Sequence, residues 1–180
     1  PSAPDTRSVR RYLKQFLSDP AVITIPGWAR WLLLRLIILP FRSPKSAKAY
    51  QSIWTEEGSP LMVYSKQFVS QLQEELNDMS VVLAMRYGEP SIASGLKQLS
   101  HCQKIVVIPM CPQFANATTQ STIDEVEQCF SQLKLTAELF WIRDFYAKTG
   151  FASVIASMIG SRMSESISPH ILMSYHGLPK

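Results

Sequence analysis

The residue best suited to do chemistry is His176, in the segment Ser-Tyr-His-Gly-Leu-Pro at 174–179. An imidazole with an unperturbed pKa of about 6.5 can accept a proton or bind a metal ion near neutral pH. A histidine at the end of a strand can equally serve as a structural group that hydrogen-bonds a backbone carbonyl. His101 and His170 stand before or at the start of predicted strands, so we expect both at the surface.

Two further polar groups could line a site. Arg86 and Tyr87 end a predicted strand, where they could bind an anion or hydrogen-bond within a site, and an ion pair between Arg86 and Glu89 is an equal alternative. The segment 112–119 leads into a predicted helix and contains Thr118 and Thr119. We expect its hydroxyls to act as helix N-caps, because Ser and Thr are favoured there.

Positive charge is concentrated in one part of the chain, which carries a net charge of +4. No acidic residue occurs between Asp19 and Glu56, and an apolar run at 31–41 is interrupted only by Arg35. Basic residues that flank an apolar run favour a membrane surface or an anionic amphipathic ligand over nucleic acid. The basic residues of this acid-free stretch are Arg30, Arg35, Arg42, Lys45 and Lys48.

Length and composition indicate one globular domain, because 180 residues with 46% apolar and 18% charged residues can bury a core. The three cysteines show no metal-ligand spacing, which favours a reducing cytoplasm. No apolar stretch reaches the roughly 20 residues of a spanning helix. Since the chain begins at Pro1 and ends directly after a predicted strand, we expect it to be part of a longer protein.

Helical periodicity dominates the first 80 residues. Asp5 is a candidate N-cap, and the apolar residues that follow it recur at helical spacing until Asp19 and Pro20. We predict further helices at about 28–39, 45–54 and 61–76.

From residue 81 the pattern changes to short apolar runs, at 81–87, 104–110, 137–142 and 170–176, separated by helical patterns at about 91–99, 121–133 and 145–163. This alternation predicts an α/β fold in which a fully buried parallel sheet is flanked by helices on both faces. Ligands bind such sheets at the carboxyl ends of the strands. Those ends are the loops at 86–90, 111–119, 143–146 and 175–179. Glycine-rich phosphate-binding motifs are absent, which argues against a nucleotide.

With these segments in view, the sequence resembles the N-terminal half of a ferrochelatase of the bacterial type. The resemblance rests on Ser-Ala-Pro at 2–4, Gly-Ser-Pro-Leu at 58–61, Met-Arg-Tyr-Gly-Glu-Pro at 85–90, the segment 109–122, and the motif at 174–179. It implies a Rossmann-like chelatase lobe over residues 1–180. The family's first strand and C-terminal lobe would lie outside this chain.

The resemblance also implies a function and a site. Ferrochelatases are lyases of haem biosynthesis that insert ferrous iron into protoporphyrin IX, so iron is a substrate and no cofactor is required. His176 would be the catalytic residue, acting as proton acceptor, metal ligand or both. Segment 28–41 would form an apolar lip that borders the porphyrin and contacts the inner face of the cell membrane. The residues matched to substrate binding are Arg42, Lys45, Tyr50 and Ser59 for the propionates, and Arg86 and Tyr87 on the metal side.

Two positions depart from the family pattern. Asn116 stands where animal members have a cysteine ligand of a [2Fe–2S] cluster, so we expect no such cluster. Cys111 stands where some members have a tyrosine near the metal. The competing hypotheses are a related tetrapyrrole chelatase, acting with cobalt or on coproporphyrin, and a non-catalytic, membrane-peripheral module that binds porphyrin or haem.

Overall fold

The computed structural model describes residues 1–163, 170–172 and 174. The chain divides into two compact units, Pro1–Arg143 and Asp144–Lys180, which are described separately below. Among the described residues, no helix has the length and apolar character needed to cross a bilayer.

Helix α1 spans Thr6–Ser18 and begins as the sequence predicts. The carboxylate of Asp5 accepts hydrogen bonds from the backbone N–H groups of Arg7, at 2.8 Å, and Ser8, at 3.0 Å. These bonds satisfy donors that the first helical turn leaves unpaired. The buried face of α1 carries residues spaced by four, namely Val9, Leu13 and Leu17.

The second helical region is longer than predicted. Helix α2 (Gly27–Leu33) continues through a π-helical turn (Leu34–Ile38) into α3 (Leu39–Ile53). The predicted separation into helices at 28–39 and 45–54 is therefore wrong. Pro40 lacks an N–H and would clash with the carbonyl of Leu36 in a regular α-helix, and the wider π turn directly before it accommodates this proline. Leu34, Leu39 and Ala47 of this region pack with α1 in one apolar cluster.

Helix α4 (Pro60–Glu75) begins at its N-cap Ser59, whose side chain accepts a hydrogen bond from the N–H of Met62 at 3.3 Å. The predicted apolar stripe is present but it is not buried, since Leu61, Tyr64 and Phe68 are exposed.

Segment 81–87 is not a strand, contrary to the prediction. Apart from a single bridge from Met85 to Ser91, it forms no ladder with the described residues. The N–H of Met85 donates to the carbonyl of Pro90 at 2.7 Å in this bridge, and the N–H of Val81 donates to the side chain of Gln73 at 2.8 Å. A strand requires a second chain segment beside it, which apolar composition alone does not supply.

The parallel sheet of the predicted α/β fold is confirmed, and its described part has two strands, β1 (Lys104–Val107) and β2 (Glu138–Trp141). They pair in parallel with Lys104 opposite Glu138 and Val107 opposite Trp141. Parallel neighbours need a crossover, and here it contains a π-helical turn (Asn116–Gln120) followed by α6 (Ser121–Gln132).

Helices α5 (Ile92–Gln98) and α6 pack against the sheet face that carries Ile105. Side chains on the other face are half-exposed, with Val106 at 53% and Phe140 at 40%. The prediction that these strands are fully buried is therefore wrong for this face. The predicted inward residues of α6 are confirmed, since Ile123 and Val126 are buried and Phe130 and Leu133 pack beside them.

The second unit contains α7 (Thr149–Met163), where Phe151 meets the ring of Phe145 edge-on at 5.4 Å. Val154, Ile155 and Met158 are exposed, so the prediction that they face inward is wrong. Helical spacing marks an apolar face, but burying that face requires a packing partner. In the predicted fourth strand at 170–176, the described residues 170–172 and 174 are not in a strand, and the rest lie outside the described residues.

Candidate functional site

The centre of the candidate site is a carboxylate that sequence reasoning treated only as the end of a helix. Asp19 follows α1 directly, and its side chain is 6% exposed. One carboxylate oxygen, Oδ2, accepts three hydrogen bonds, from Arg86 Nη2 at 2.7 Å, the Tyr87 hydroxyl at 2.7 Å and the Ser121 hydroxyl at 2.6 Å. The other oxygen accepts from the N–H of Ala21 at 2.7 Å. Asp19 thus joins three segments that are distant in sequence.

Besides Asp19, Arg86 contacts Ser121, Glu125 and Tyr87. Its Nε donates to the carbonyl of Ser121 at 2.9 Å and to its hydroxyl at 2.8 Å, and its Nη1 lies 3.1 Å from a carboxylate oxygen of Glu125. The guanidinium also lies over the Tyr87 ring, 4.6 Å from its centroid. The alternative ion pair with Glu89 is wrong, because the carboxylate of Glu89 accepts instead from the N–H of Ser91 at 2.9 Å. Arg86 therefore links Asp19 to Ser121 and Glu125 of α6.

Local backbone features set this arrangement. Gly88 has a φ of +88°, a conformation that L side chains rarely adopt, and its N–H donates to the side chain of Gln15 on α1 at 3.0 Å. Ser121 begins α6 directly after the π-helical turn, and its hydroxyl bonds Asp19. The expectation that the hydroxyls of 112–119 act as N-caps is wrong, because neither this turn nor α6 has a side-chain cap.

The network shifts two pKa values in opposite directions. Burial by itself raises the pKa of Asp19, but the hydrogen bonds from Ser121, Tyr87 and the N–H of Ala21, together with the Arg86 charge, hold it below its ordinary value. Burial, with the neighbouring Asp19 carboxylate, raises the pKa of Tyr87 to about 12. At neutral pH this pair is a carboxylate and a neutral phenol, so Tyr87 acts as a hydrogen-bond donor.

A row of aromatic rings runs along α1 and connects the network to α3. Phe16 meets the Tyr87 ring edge-on at 5.3 Å and stacks on Tyr12 at 6.0 Å. Tyr12 in turn meets Tyr50 of α3 edge-on at 6.4 Å, and Tyr50 meets Trp54 at 6.4 Å. Two of the predicted site residues, Tyr50 and Tyr87, are thus joined by an apolar path.

The other predicted propionate-binding residues lie on or near α3. Arg42 and Lys45 are exposed and are three residues apart, so they are neighbours on one helical face. Neither forms an ion pair with any described residue. Ser59 is half-buried as the N-cap of α4, and because its oxygen accepts from Met62, its own O–H can still donate to a ligand.

The segment 28–41 is exposed as the sequence predicts. Trp28 is 75% exposed and Phe41 is 69% exposed, while Leu34 and Leu39 are buried in the apolar cluster that they form with α1. The segment therefore has one face in the core and one apolar face open to its surroundings. The exposed apolar residues between these two ends are Trp31, Leu32, Leu36 and Ile37.

His176 lies outside the described residues, so its role remains a prediction. His101 and His170 are exposed, as expected. Across 1–163, 170–172 and 174, no three histidine, cysteine, aspartate or glutamate side chains are grouped so that they could hold a metal ion. Cys102, Cys111 and Cys129 are free thiols, and burial, with Glu125 beside it, raises the pKa of Cys129.

Known proteins resemble this chain over its whole length. The family model described as Ferrochelatase matches residues 1–180. A protein named Ferrochelatase from Legionella pneumophila (strain Paris) is 40% identical over 181 residues, which cover 100% of this chain and 54% of the relative. A second, from Coxiella burnetii (strain CbuK_Q154), is 42% identical over 183 residues, covering 100% of this chain and 51% of the relative. The chain spans about half the length of these curated relatives, and it belongs to the ferrochelatase family.

Proposed function

We propose that the protein containing this chain inserts ferrous iron into protoporphyrin IX to form protohaem, with no required cofactor and with iron as a substrate. The observation that carries this proposal is the family match over residues 1–180. The aromatic row from Tyr50 to Tyr87 supports it, because a flat apolar macrocycle needs apolar walls.

The porphyrin also carries two propionates, which need charge-assisted donors at the edge of the ring. Arg42 and Lys45 are exposed cations without a carboxylate partner among the described residues. Tyr50 on the same helix and the Ser59 hydroxyl complete the set that we assign to the propionates. This assignment places the propionate end at α3 and the metal side at Arg86 and Tyr87, with the aromatic row between them.

Metal insertion releases the two pyrrole N–H protons as Fe²⁺ binds the four ring nitrogens, so the site needs a proton acceptor. Tyr87 is unsuited to that role because its pKa of about 12 keeps the phenol protonated. Arg86 is unsuited as well, since a guanidinium does not lose its proton in proteins. We assign proton acceptance, metal ligation or both to His176, as the resemblance of the motif at 174–179 implies, and we assign to Arg86 the positioning of Tyr87.

The protein is also proposed to work in the cytoplasm, in peripheral contact with the inner face of the cell membrane. The open apolar face of segment 28–41 supports this contact, since Trp28 and Trp31 are amphipathic side chains that favour the membrane interface. Cations flank this face, and they would be attracted by anionic lipid. The contact would give the enzyme access to an apolar substrate that partitions into the bilayer.

The test uses the intact protein, with haem formation followed from the Soret band after addition of protoporphyrin IX and Fe²⁺. His176→Ala should lower turnover by about 10²- to 10⁴-fold, the usual contribution of a general base, while porphyrin affinity stays within a few-fold. His101→Ala removes an exposed histidine and is the matched control. Near-normal turnover of His176→Ala would overturn the site assignment. Porphyrin binding by the wild-type protein without metalation would favour the non-catalytic module instead.

A further inference from the structure

A concave surface lies between α1 and the region 27–39, and its lining contains none of the residues assigned to the propionates or to the metal side. It is a groove of about 410 Å³. Its lining includes the apolar side chains of Leu34 and Leu39 and the aromatic side chain of Trp31. Four cations also line this groove, which we call the α1 groove: Arg10, Lys14, Arg30 and Arg35.

The positive charge of the α1 groove is not compensated. None of the residues lining it is acidic, and in the part of the chain that the structure describes, the ion pairs are those of Arg86. Like charges that share a concave surface repel one another, so an anion bound among them would be favourable. Two of the four cations, Arg10 and Lys14, belong to α1, and the other two belong to the acid-free stretch between Asp19 and Glu56.

Two of the four cations, Arg30 and Arg35, make contacts that position their guanidinium groups. Arg30 Nη1 donates to the carbonyl of Ile23 at 2.8 Å and to that of Ile25 at 3.3 Å, and both acceptors are neutral. The guanidinium of Arg35 lies over the Trp31 ring, 5.4 Å from its centroid. A ligand that binds these cations therefore also meets an aromatic surface.

The exposed apolar side chains beside the groove favour a membrane-bound anion over a soluble one. Trp31 is 58% exposed, and Leu32 and Leu36 beside it on the same helix are also exposed. A small soluble anion would satisfy the cations but would leave these apolar side chains in water. An anionic phospholipid satisfies both, because its phosphate meets the cations while the bilayer covers the apolar side chains.

We infer that the α1 groove binds the phosphate headgroup of an anionic phospholipid. The inference rests on the membrane contact proposed above and adds the residues that would recognise the lipid. Arg10 and Lys14 are the informative positions, because they belong to α1 and not to the apolar segment itself. Arg7 and Arg11 provide a matched comparison on the same helix, at the same spacing of four, and outside the groove lining.

The experiment measures binding of the intact protein to vesicles of phosphatidylcholine with and without phosphatidylglycerol, by co-sedimentation at low salt. We compare the double variant Arg10→Gln and Lys14→Gln with Arg7→Gln and Arg11→Gln, which changes the net charge equally. The groove variant should lose about 10-fold or more in affinity for the anionic vesicles, and the comparison variant should stay within about 3-fold. All four side chains are exposed, so we expect both variants to fold.

Several results would overturn the inference, and they are distinguishable. Equal losses in the two variants would indicate diffuse attraction rather than a groove. Equal binding of wild-type protein to neutral and anionic vesicles would retain the membrane contact but remove the lipid-specific site. No binding to either vesicle would remove both. Saturable binding of glycerol 3-phosphate alone, as tight as that of anionic vesicles, would assign the groove to a soluble phosphate. Haem formation with detergent-dispersed porphyrin, measured in parallel, tests the proposed function independently.

Discussion

The strongest structural test of the site is the replacement of Asp19 by Asn, which keeps the size of the side chain but removes its charge. In the native structure Oδ2 of Asp19 faces three donors, from Arg86, Tyr87 and Ser121. The other oxygen, Oδ1, accepts from the N–H of Ala21, so donors face both oxygens of the carboxylate. An amide at this position has one oxygen and one NH₂ group, and the NH₂ group cannot accept from the donors that it faces. Whichever way the amide is oriented, at least one donor loses its acceptor or faces another donor.

The size of the effect follows from burial and from the bonds that remain. Breaking a buried ion pair costs about 3–5 kcal/mol when the partner is left uncompensated. Here Arg86 keeps Glu125 and the carbonyl of Ser121, and its side chain is 24% exposed, so the cost is lower. We expect Asp19→Asn to lower the free energy of unfolding by about 2–4 kcal/mol. Asp78→Asn makes the same chemical change at an exposed position and should leave stability near wild type.

The assay is urea denaturation of the intact protein at two pH values. Because its pKa is lowered in the folded state, Asp19 contributes stability that is present above its unfolded pKa of about 3.9 and is lost as the pH falls through the folded value. The difference between wild type and Asp19→Asn should therefore be full at about pH 6 and should shrink at about pH 3. A difference below about 0.5 kcal/mol at neutral pH would refute the assignment of Asp19 as the centre of this network.

Two further predictions separate the ends of the aromatic row. Arg42→Ala should raise the dissociation constant for protoporphyrin about 10-fold or more, with little change in turnover at saturating substrate. Lys66→Ala on α4 is the control. A loss in turnover without a change in the dissociation constant would contradict the propionate assignment. In an ultraviolet titration of the phenols, the difference between wild type and Tyr87→Phe should titrate at about 12, and a difference curve centred near 10 would contradict the buried hydrogen bond to Asp19. Because the pKa of Tyr87 is raised in the folded state, neutral Tyr87 contributes to the free energy of unfolding below about pH 10. This contribution is lost as the pH rises through about 12.

Local sequence chemistry predicted which parts of the chain are helical and the N-cap of α1, but it did not predict that the region 27–53 is continuous. Asp5 was predicted as an N-cap, and its side chain accepts hydrogen bonds from the first helical turn. The helical pattern at about 91–99 corresponds to α5, which begins one residue later, after its N-cap Ser91. Val9 and Leu13 are buried because residues four apart lie on one helical face. These features depend on residues within a few positions of one another, which is why a single sequence contains enough information to predict them.

Features that depend on distant partners were predicted less well. The apolar segment 81–87 has the composition of a strand, but pairing depends on which other segment lies beside it. Pro40 marks a break in a regular helix, and the sequence gives no sign that a π turn at 34–38 absorbs it. Asp19 was missed for the same reason, since its partners Arg86 and Tyr87 lie 67 and 68 positions away.

The proposed functions can be tested separately because the side chains that serve them lie on different faces of helix α1. One face carries the buried residues Val9 and Leu13, a second carries Tyr12 and Phe16 of the aromatic row, and a third presents Arg10 and Lys14 to the α1 groove. Residues spaced by four keep to one face, so each set can be changed without replacing the others. Asp19 lies beyond the end of the helix, roughly 13 Å along its axis from Arg10 at about 1.5 Å per residue. Changes that displace the whole helix would disturb the row, the network and the groove together, whereas the charge substitutions in the groove leave the buried face and the aromatic row intact.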